Sequence, residues 1–308
     1  MTTGVMICGH GSPDQEAIDE FVDLAEQIRQ SLPTLEVQSG FLEFAHPTIE
    51  EGLIALKDRG VDRILAIPGI LFAAGHVKND LPWEVNRFAA ANPSIDIRFG
   101  RELGIDARLL AAAVDRIEAT LSSSPAAVAR SETLLLVVGR GSTDPDANGN
   151  VAKVARLLWE AMGFAKAEIA YSGVTTPTVP AAIDLAARQG FKRIVVFPYF
   201  LLTGVLVKRI AHWTEDAGTR HPGIEFLQAA YLGLHPQVVQ SFVANVADTD
   251  EGSPSMNCQL CKYRYQMVGY EADVGAPQVA HHHPEGDDHH DDAHEHGHRH
   301  GHGHGHDH

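Results

Sequence analysis

Cysteine is scarce in this chain, and long apolar runs are missing from it. The 308 residues include only 3 cysteines, which are too few for a disulfide framework. No apolar segment approaches the roughly 18 to 20 residues that a membrane-spanning helix needs. The first ten residues, MTTGVMICGH, lack the basic and then apolar pattern of a signal peptide. We therefore expect a soluble, cytoplasmic protein with no membrane partner.

Positive charge is also in short supply. The 24 Lys and Arg residues are outnumbered by 40 Asp and Glu, which gives a formal net charge of −16 at pH 7. This balance argues against a nucleic acid partner. An anionic ligand would need a local basic patch that overcomes the acidic background.

The chain does contain an internal duplication. Residues 60–78, GVDRILAIPGILFAAGHVK, align without a gap on residues 190–208, GFKRIVVFPYFLLTGVLVK. The same offset places GHGS at 9–12 on GRGS at 139–142. A repeat of this length predicts two halves of the same fold.

The repeat divides the chain into three parts. We predict a first domain over residues 1–122 and a second over residues 131–247. The small, polar segment SSSPAAVAR (122–130) is typical of a linker. The tail, residues 248–308, is rich in turn residues and then in histidine, and we expect its His-rich segment, 281–308, to be disordered.

Within each half, short apolar segments alternate with amphipathic ones. This alternation predicts an α/β fold in which strands form parallel sheets covered by helices. We expect two tandem flavodoxin-like domains, each with a four-stranded sheet of order 2-1-3-4. The predicted strands lie near residues 4–9, 35–43, 63–69, 95–100, 133–138, 167–173, 193–199 and 224–230.

Two histidines follow neighbouring strands of the first predicted sheet. His10 ends the first strand, and His76 follows the third, at the start of a helix. Glu43 lies at the end of the second strand. Ligands of open α/β sheets bind at the carboxyl ends of the strands. Imidazoles with a carboxylate suit a divalent cobalt, iron or nickel ion and also proton removal near neutral pH.

The motifs GHGS, HPT and GHVKNDLP, in a doubled domain, resemble the long form of the sirohydrochlorin cobaltochelatases. These are ATP-independent tetrapyrrole chelatases, with a chelatase-like version of the predicted fold. The resemblance implies a lyase that inserts Co²⁺ into sirohydrochlorin during cobalamin biosynthesis. It also implies that His10 and His76 bind the metal and act in catalysis, with Glu43 as a further catalytic residue.

The same resemblance implies where the macrocycle binds. The loop ILFAAG (70–75) matches the substrate-contacting segment of the family, so we expect contacts from Phe72, Ala73, Ala74 and Gly75. The substrate carries many carboxylates, for which Lys78 and Arg140 are candidate partners. The alternative for each cation is a solvated surface charge.

The tail adds two further features. MNCQLC (256–261) is similar to an MxCxxC motif of the long form, which implies an iron–sulfur cluster at Cys258 and Cys261. The two thiols alone also fit a redox pair, half of a metal site, or unpaired cysteines. Most of the 19 histidines lie in residues 281–308, where they alternate with Gly, Asp and Glu. We interpret this segment as a reservoir of divalent metal ions, with a purification tag as the alternative.

Two other functions are compatible with these residues. The first is insertion of Fe²⁺ or Ni²⁺ into a tetrapyrrole, since imidazole accepts all three ions. The second is non-catalytic storage or delivery of metal, which would be expected to keep its ligands in both halves. Arg140 and Leu206 replace His10 and His76 in the second half. The chain could act as a monomer or a dimer.

Overall fold

Strands and helices alternate throughout the computed structural model, which describes residues 2–252, 263, 269 and 271–276. The strands are β1 (Thr3–Gly9), β2 (Glu36–Phe41), β3 (Arg63–Pro68), β4 (Asp96–Phe99), β5 (Thr133–Gly139), β6 (Lys166–Tyr171), β7 (Arg193–Pro198) and β8 (Glu225–Gln228). The helices are α1 (Gln15–Ser31), α2 (Ile49–Asp58), α3 (Leu81–Ala91), α4 (Ala107–Ser123), α5 (Pro145–Met162), α6 (Val179–Ala187), α7 (Val205–Arg220) and α8 (Pro236–Asp250). A π-helical turn, His76–Asp80, precedes α3.

The strands form two four-stranded parallel sheets. Their orders are β2-β1-β3-β4 and β6-β5-β7-β8, which confirms the predicted fold and strand order. β1 and β5 are buried along almost their whole length, as expected for central strands with helices on both faces. The helix that follows each of them begins at an aspartate N-cap, Asp14 or Asp144.

A single apolar core joins the two halves. Val5 and Ile7 of the first sheet belong to the same buried cluster as Leu135 and Val137 of the second. Each sheet has a separate cluster beneath the helices of its outer face. The two sheets therefore share the helical layer between them.

The last helix of each half packs across this shared layer. α8 packs on α1, β3 and β4 of the first half, while α4 packs on α5 and β8 of the second. Arg63 pairs with Asp250 at 2.8 Å, and Asn245 donates to the Arg101 carbonyl at 2.8 Å. The two repeats are thus interlocked. The predicted division into two domains does not describe this packing.

The predicted linker is held against the second sheet. The buried Arg193 guanidinium donates to the carbonyls of Ala126 and Val128, at 2.6 and 3.1 Å, and pairs with Glu225 at 2.6 Å. These hydrogen bonds hold the linker in place. Its Ser- and Ala-rich composition alone does not determine its conformation. No helix in the described part of the chain has the length and apolarity to cross a membrane.

Candidate active site

The carboxyl ends of the first sheet bring the two predicted histidines together. His10 follows β1, and His76 opens the π-helical turn after β3. Because β1 and β3 are hydrogen-bonded neighbours, the loops that follow them are adjacent. The Nε2 atoms of His10 and His76 lie 3.0 Å apart.

Both imidazoles are oriented through their other nitrogen. Nδ1 of His10 lies 2.9 Å from the Gly11 carbonyl, and Nδ1 of His76 lies 2.7 Å from Oδ2 of Asp80. When each Nδ1–H donates to its oxygen, both Nε2 lone pairs face one point. Second-shell acceptors of this kind fix the tautomer and orientation of metal-binding histidines. A cation or a proton between the two nitrogens would stabilise this arrangement.

A carboxylate adjoins the pair. Oε1 of Glu43 lies 3.3 Å from Nε2 of His10, and its side chain is nearly buried. Its other oxygen, Oε2, has no hydrogen-bond partner within the described residues. Gly11 makes this approach possible, because a Cβ there would lie 1.7 Å from the Glu43 carbonyl oxygen.

The surroundings keep His10 neutral. Burial lowers the pKa of His10 to about 3, and the nearby charges of His76 and Arg140 act in the same direction. A neutral imidazole has a free nitrogen lone pair, so it can bind a metal or accept a proton. Within the described residues, no group of three or more His, Cys, Asp or Glu side chains is arranged to hold a metal ion.

Two cavities between the two halves meet at His10, and the larger of them is also lined by His76. The larger, about 630 Å³, is bounded by the loop after β3, the loop after β5 and the residues after β7. The smaller, about 330 Å³, lies against the loop after β1 and residues 200–207. His10, Gly69 and Arg140 line both cavities. The larger one falls within the size range of small-molecule sites.

Arg140 faces the histidines from the second half. It occupies the position that corresponds to His10 in the duplicated sequence and remains exposed in the cleft. Desolvation by the cleft walls lowers the pKa of its guanidinium, and the Glu43 carboxylate opposes this shift. An arginine stays protonated at any working pH. No hydrogen bond or ion pair engages the Arg140 guanidinium within the described structure.

The loop after β3 forms the apolar wall of the larger cavity. Phe72, Ala74 and Gly75 line it, and the Phe72 ring stacks at 5.7 Å on Tyr199 of the second half. Ala73, the other residue of this loop expected to contact the macrocycle, does not line it. It is 3% exposed and packs in the core of the first half.

Lys78 also lies away from the cavity surface. Its side chain is 3% exposed, and its ammonium group pairs with Asp144 at 2.8 Å and Asp146 at 3.2 Å. Burial opposes the charged form, but these aspartates raise the pKa of Lys78 above its usual value. Because both aspartates belong to the second half, Lys78 joins the halves and is not available to substrate carboxylates.

The structure adds two residues to the site. Asp80 follows His76 by four positions, a spacing that brings side chains together on a helix, so the sequence did hold this signal. Tyr263 lines the larger cavity, although no motif marks it. Cys258, Cys261 and the His-rich segment lie outside the described residues.

Comparison with known proteins decides the family. The CbiX model matches this chain twice, over residues 4–120 and 134–249. The chain belongs to the CbiX family. The double match also coincides with the two repeats in the sequence.

Two curated proteins similar to this chain are named as sirohydrochlorin chelatases. A sirohydrochlorin cobaltochelatase of Priestia megaterium is 32% identical over 86% of this chain and 85% of its own length. A sirohydrochlorin ferrochelatase of the same organism is 32% identical over 76% of this chain and 85% of its own length. Among solved structures, SirB from Bacillus subtilis with Fe³⁺ superposes with a TM-score of 0.73, at 27% identity, over 83% of this chain and 99% of its own.

Proposed function

We propose that this protein inserts Co²⁺ into sirohydrochlorin without ATP, on the route to cobalamin. The observation that carries this proposal is the pair of Nε2 atoms, 3.0 Å apart, on the wall of the larger cavity between the two halves. The apolar loop after β3 provides a flat wall for a macrocycle, and Arg140 provides a cation for its carboxylates. Family membership and the names of the relatives point to the same chemistry.

The spacing of the histidines suits a six-coordinate ion. Two metal–nitrogen bonds of about 2.1 Å that meet at a right angle place their nitrogens about 3.0 Å apart. The observed separation is 3.0 Å. Two imidazole ligands leave further positions open for water and then for the ring nitrogens.

Insertion exchanges one divalent ion for two pyrrole N–H protons. As the ion leaves His10 and His76 for the ring nitrogens, the vacated imidazoles can accept those protons. Asp80 stabilises a protonated His76 through their 2.7 Å contact. Glu43 is close enough to His10 to take the other proton onward. Charge is conserved, since two protons replace the dication at the histidines.

Insertion of Fe²⁺ instead of Co²⁺ is a specific alternative, because a ferrochelatase and a cobaltochelatase match this chain at the same identity. The test is to incubate the protein with sirohydrochlorin and equal free concentrations of Co²⁺, Fe²⁺ or Ni²⁺ under anaerobic conditions. The tetrapyrrole absorption reports insertion. We expect the highest kcat/KM with Co²⁺. A higher value with Fe²⁺ would identify a ferrochelatase, and no insertion of any ion would leave metal storage as the function.

Deletion of residues 281–308 tests whether this segment stores metal ions without taking part in the insertion step. We expect the truncated protein to keep its turnover at saturating Co²⁺ and to bind fewer ions per chain, because histidines in such a segment bind borderline ions exchangeably. Equilibrium dialysis measures the number of bound ions, and the insertion assay measures turnover. An inactive truncated protein in excess Co²⁺ would contradict the reservoir interpretation.

A further inference from the structure

The buried ion pair of Lys78 has a counterpart on the other side of the cleft. The offset of the duplication aligns Lys78 with Lys208, Asp144 with Asp14, and Asp146 with Glu16. Lys208 pairs with Asp14 at 2.8 Å and with Glu16 at 2.9 Å. In each half, therefore, one lysine contacts the other half. It pairs with residues at the start of the helix that follows the central strand there.

The two ion pairs differ in burial. The Lys78 side chain is 3% exposed, whereas the Lys208 side chain is 48% exposed. Solvent screens the exposed pair and weakens it, while removing one member of a buried pair leaves an uncompensated charge. Of these two lysine pairs, the Lys78 pair is therefore the one that can hold the two halves in a fixed position.

The backbone around the two lysines differs as well. Lys78 lies in the π-helical turn, in which the Leu81 N–H donates to the carbonyl of His76. Lys208 lies in the regular α-helix α7. Pro82, near the start of α3, accounts for the difference, because its ring would clash with the Lys78 carbonyl in a continuous α-helix. His212 occupies the corresponding position in the second half.

The π-helical turn carries the chemistry of the first half. His76 begins it, Asp80 ends it, and Lys78 lies between them. A π-turn is rare and is found mostly at functional sites. On the other side of the ion pair, Asp144 caps α5 and closes the loop that begins with Arg140. The Lys78 pair thus connects the metal-facing turn of one half to the substrate-facing loop of the other.

We propose that Lys78 is a positioning residue: its ion pair with Asp144 and Asp146 fixes the turn that presents His76 to His10. The second half then determines how well the first half binds the metal, in addition to holding the tetrapyrrole. This inference rests on the proposed metal insertion for its kinetic test, but its binding test does not.

The test compares Lys78→Met with the matched control Lys208→Met in the full chain. Insertion is measured with free Co²⁺ set by a chelating metal buffer, so that ions held by the tail do not affect the result. We expect Lys78→Met to raise the KM for free Co²⁺ about tenfold, with the KM for sirohydrochlorin unchanged. Lys208→Met should leave both constants within about twofold of the parent protein.

A triple variant, Lys78→Met with Asp144→Asn and Asp146→Asn, removes the uncompensated charges. We expect the melting temperature of this triple variant to return to that of the parent protein. Its KM for Co²⁺ should stay as high as that of Lys78→Met. A normal KM for Co²⁺ in the triple variant would reduce Lys78 to a structural role and overturn the proposal. A raised KM for sirohydrochlorin with an unchanged KM for Co²⁺ would instead make Lys78 a substrate contact. Equal effects of Lys78→Met and Lys208→Met would also overturn it.

A binding measurement distinguishes failure of this inference from failure of the proposed function. The affinity of the histidine pair for Co²⁺ is the difference between titrations with and without His10→Ala, in the absence of tetrapyrrole. We expect Lys78→Met to weaken this affinity about tenfold, whether or not the parent protein turns over sirohydrochlorin. An unchanged affinity would overturn the positioning role.

Discussion

Replacement of His76 by alanine is expected to lower the rate of metal insertion at least about a hundredfold while the protein remains folded. His76 contributes one of the two converging nitrogens, and loss of an acid–base or ligand group costs a factor of this order. Its side chain is partly exposed and lies outside the buried core. The substitution should therefore leave the core intact.

The duplicated half provides a matched control for this experiment. Leu206→Ala removes a side chain at the corresponding position of the second half, where neither a metal ligand nor a proton acceptor is present. We expect Leu206→Ala to retain turnover within a few-fold of the parent protein. Initial rates at saturating Co²⁺ and sirohydrochlorin, with circular dichroism for the fold, make the comparison. Near-normal turnover in the His76 variant would remove this residue from the mechanism.

Much of this architecture could be predicted from the sequence, because the relevant signals are local or repeated. Apolar strands between amphipathic helices fix a parallel α/β fold, and the duplication shows that the pattern occurs twice. In the order 2-1-3-4, β1 and β3 are neighbours. The loops that carry His10 and His76 are therefore expected to lie side by side. Glu43 is expected beside His10 because β2 lies on the other side of β1.

The placements that the sequence does not reveal depend on packing across the two halves. Lys78 has the sequence signature of a surface cation at a cleft, and only the approach of Asp144 makes it a buried ion pair. Ala73 lies within a loop that contacts the cavity, but the loop turns this side chain into the core. The packing of α4 and α8 on the opposite half likewise depends on how two sheets share one apolar layer.

The two halves retain the scaffold and differ in chemistry. The second half has Arg140, Leu206 and Gly173 at the positions of His10, His76 and Glu43. Arginine and leucine can neither bind a cation nor accept a pyrrole proton. The cavity next to Leu206 is also the smaller of the two. We therefore expect one catalytic site per chain, in which the second half contributes substrate binding.

Replacement of Arg140 by alanine tests this division of labour. We expect the KM for sirohydrochlorin to rise about thirtyfold, with kcat changed less than about threefold. A hydrogen bond to a charged group contributes about 2 kcal/mol, which corresponds to roughly this factor. The same guanidinium can contact a carboxylate at two points, and no hydrogen bond or ion pair within the described structure competes for it.

The controls separate binding of a carboxylate from a general loss of charge. Arg140→Lys keeps the charge but loses the two-point contact, so its KM should fall between those of the parent and the alanine variant. Arg156→Ala removes an exposed arginine of α5 that pairs with Glu160 and should leave both constants unchanged. An Arg140→Ala variant with an unchanged KM and a strongly reduced kcat would place Arg140 in the chemical step. Because its positive charge also lowers the pKa of His10, the Michaelis constant rather than the rate alone decides between the two roles.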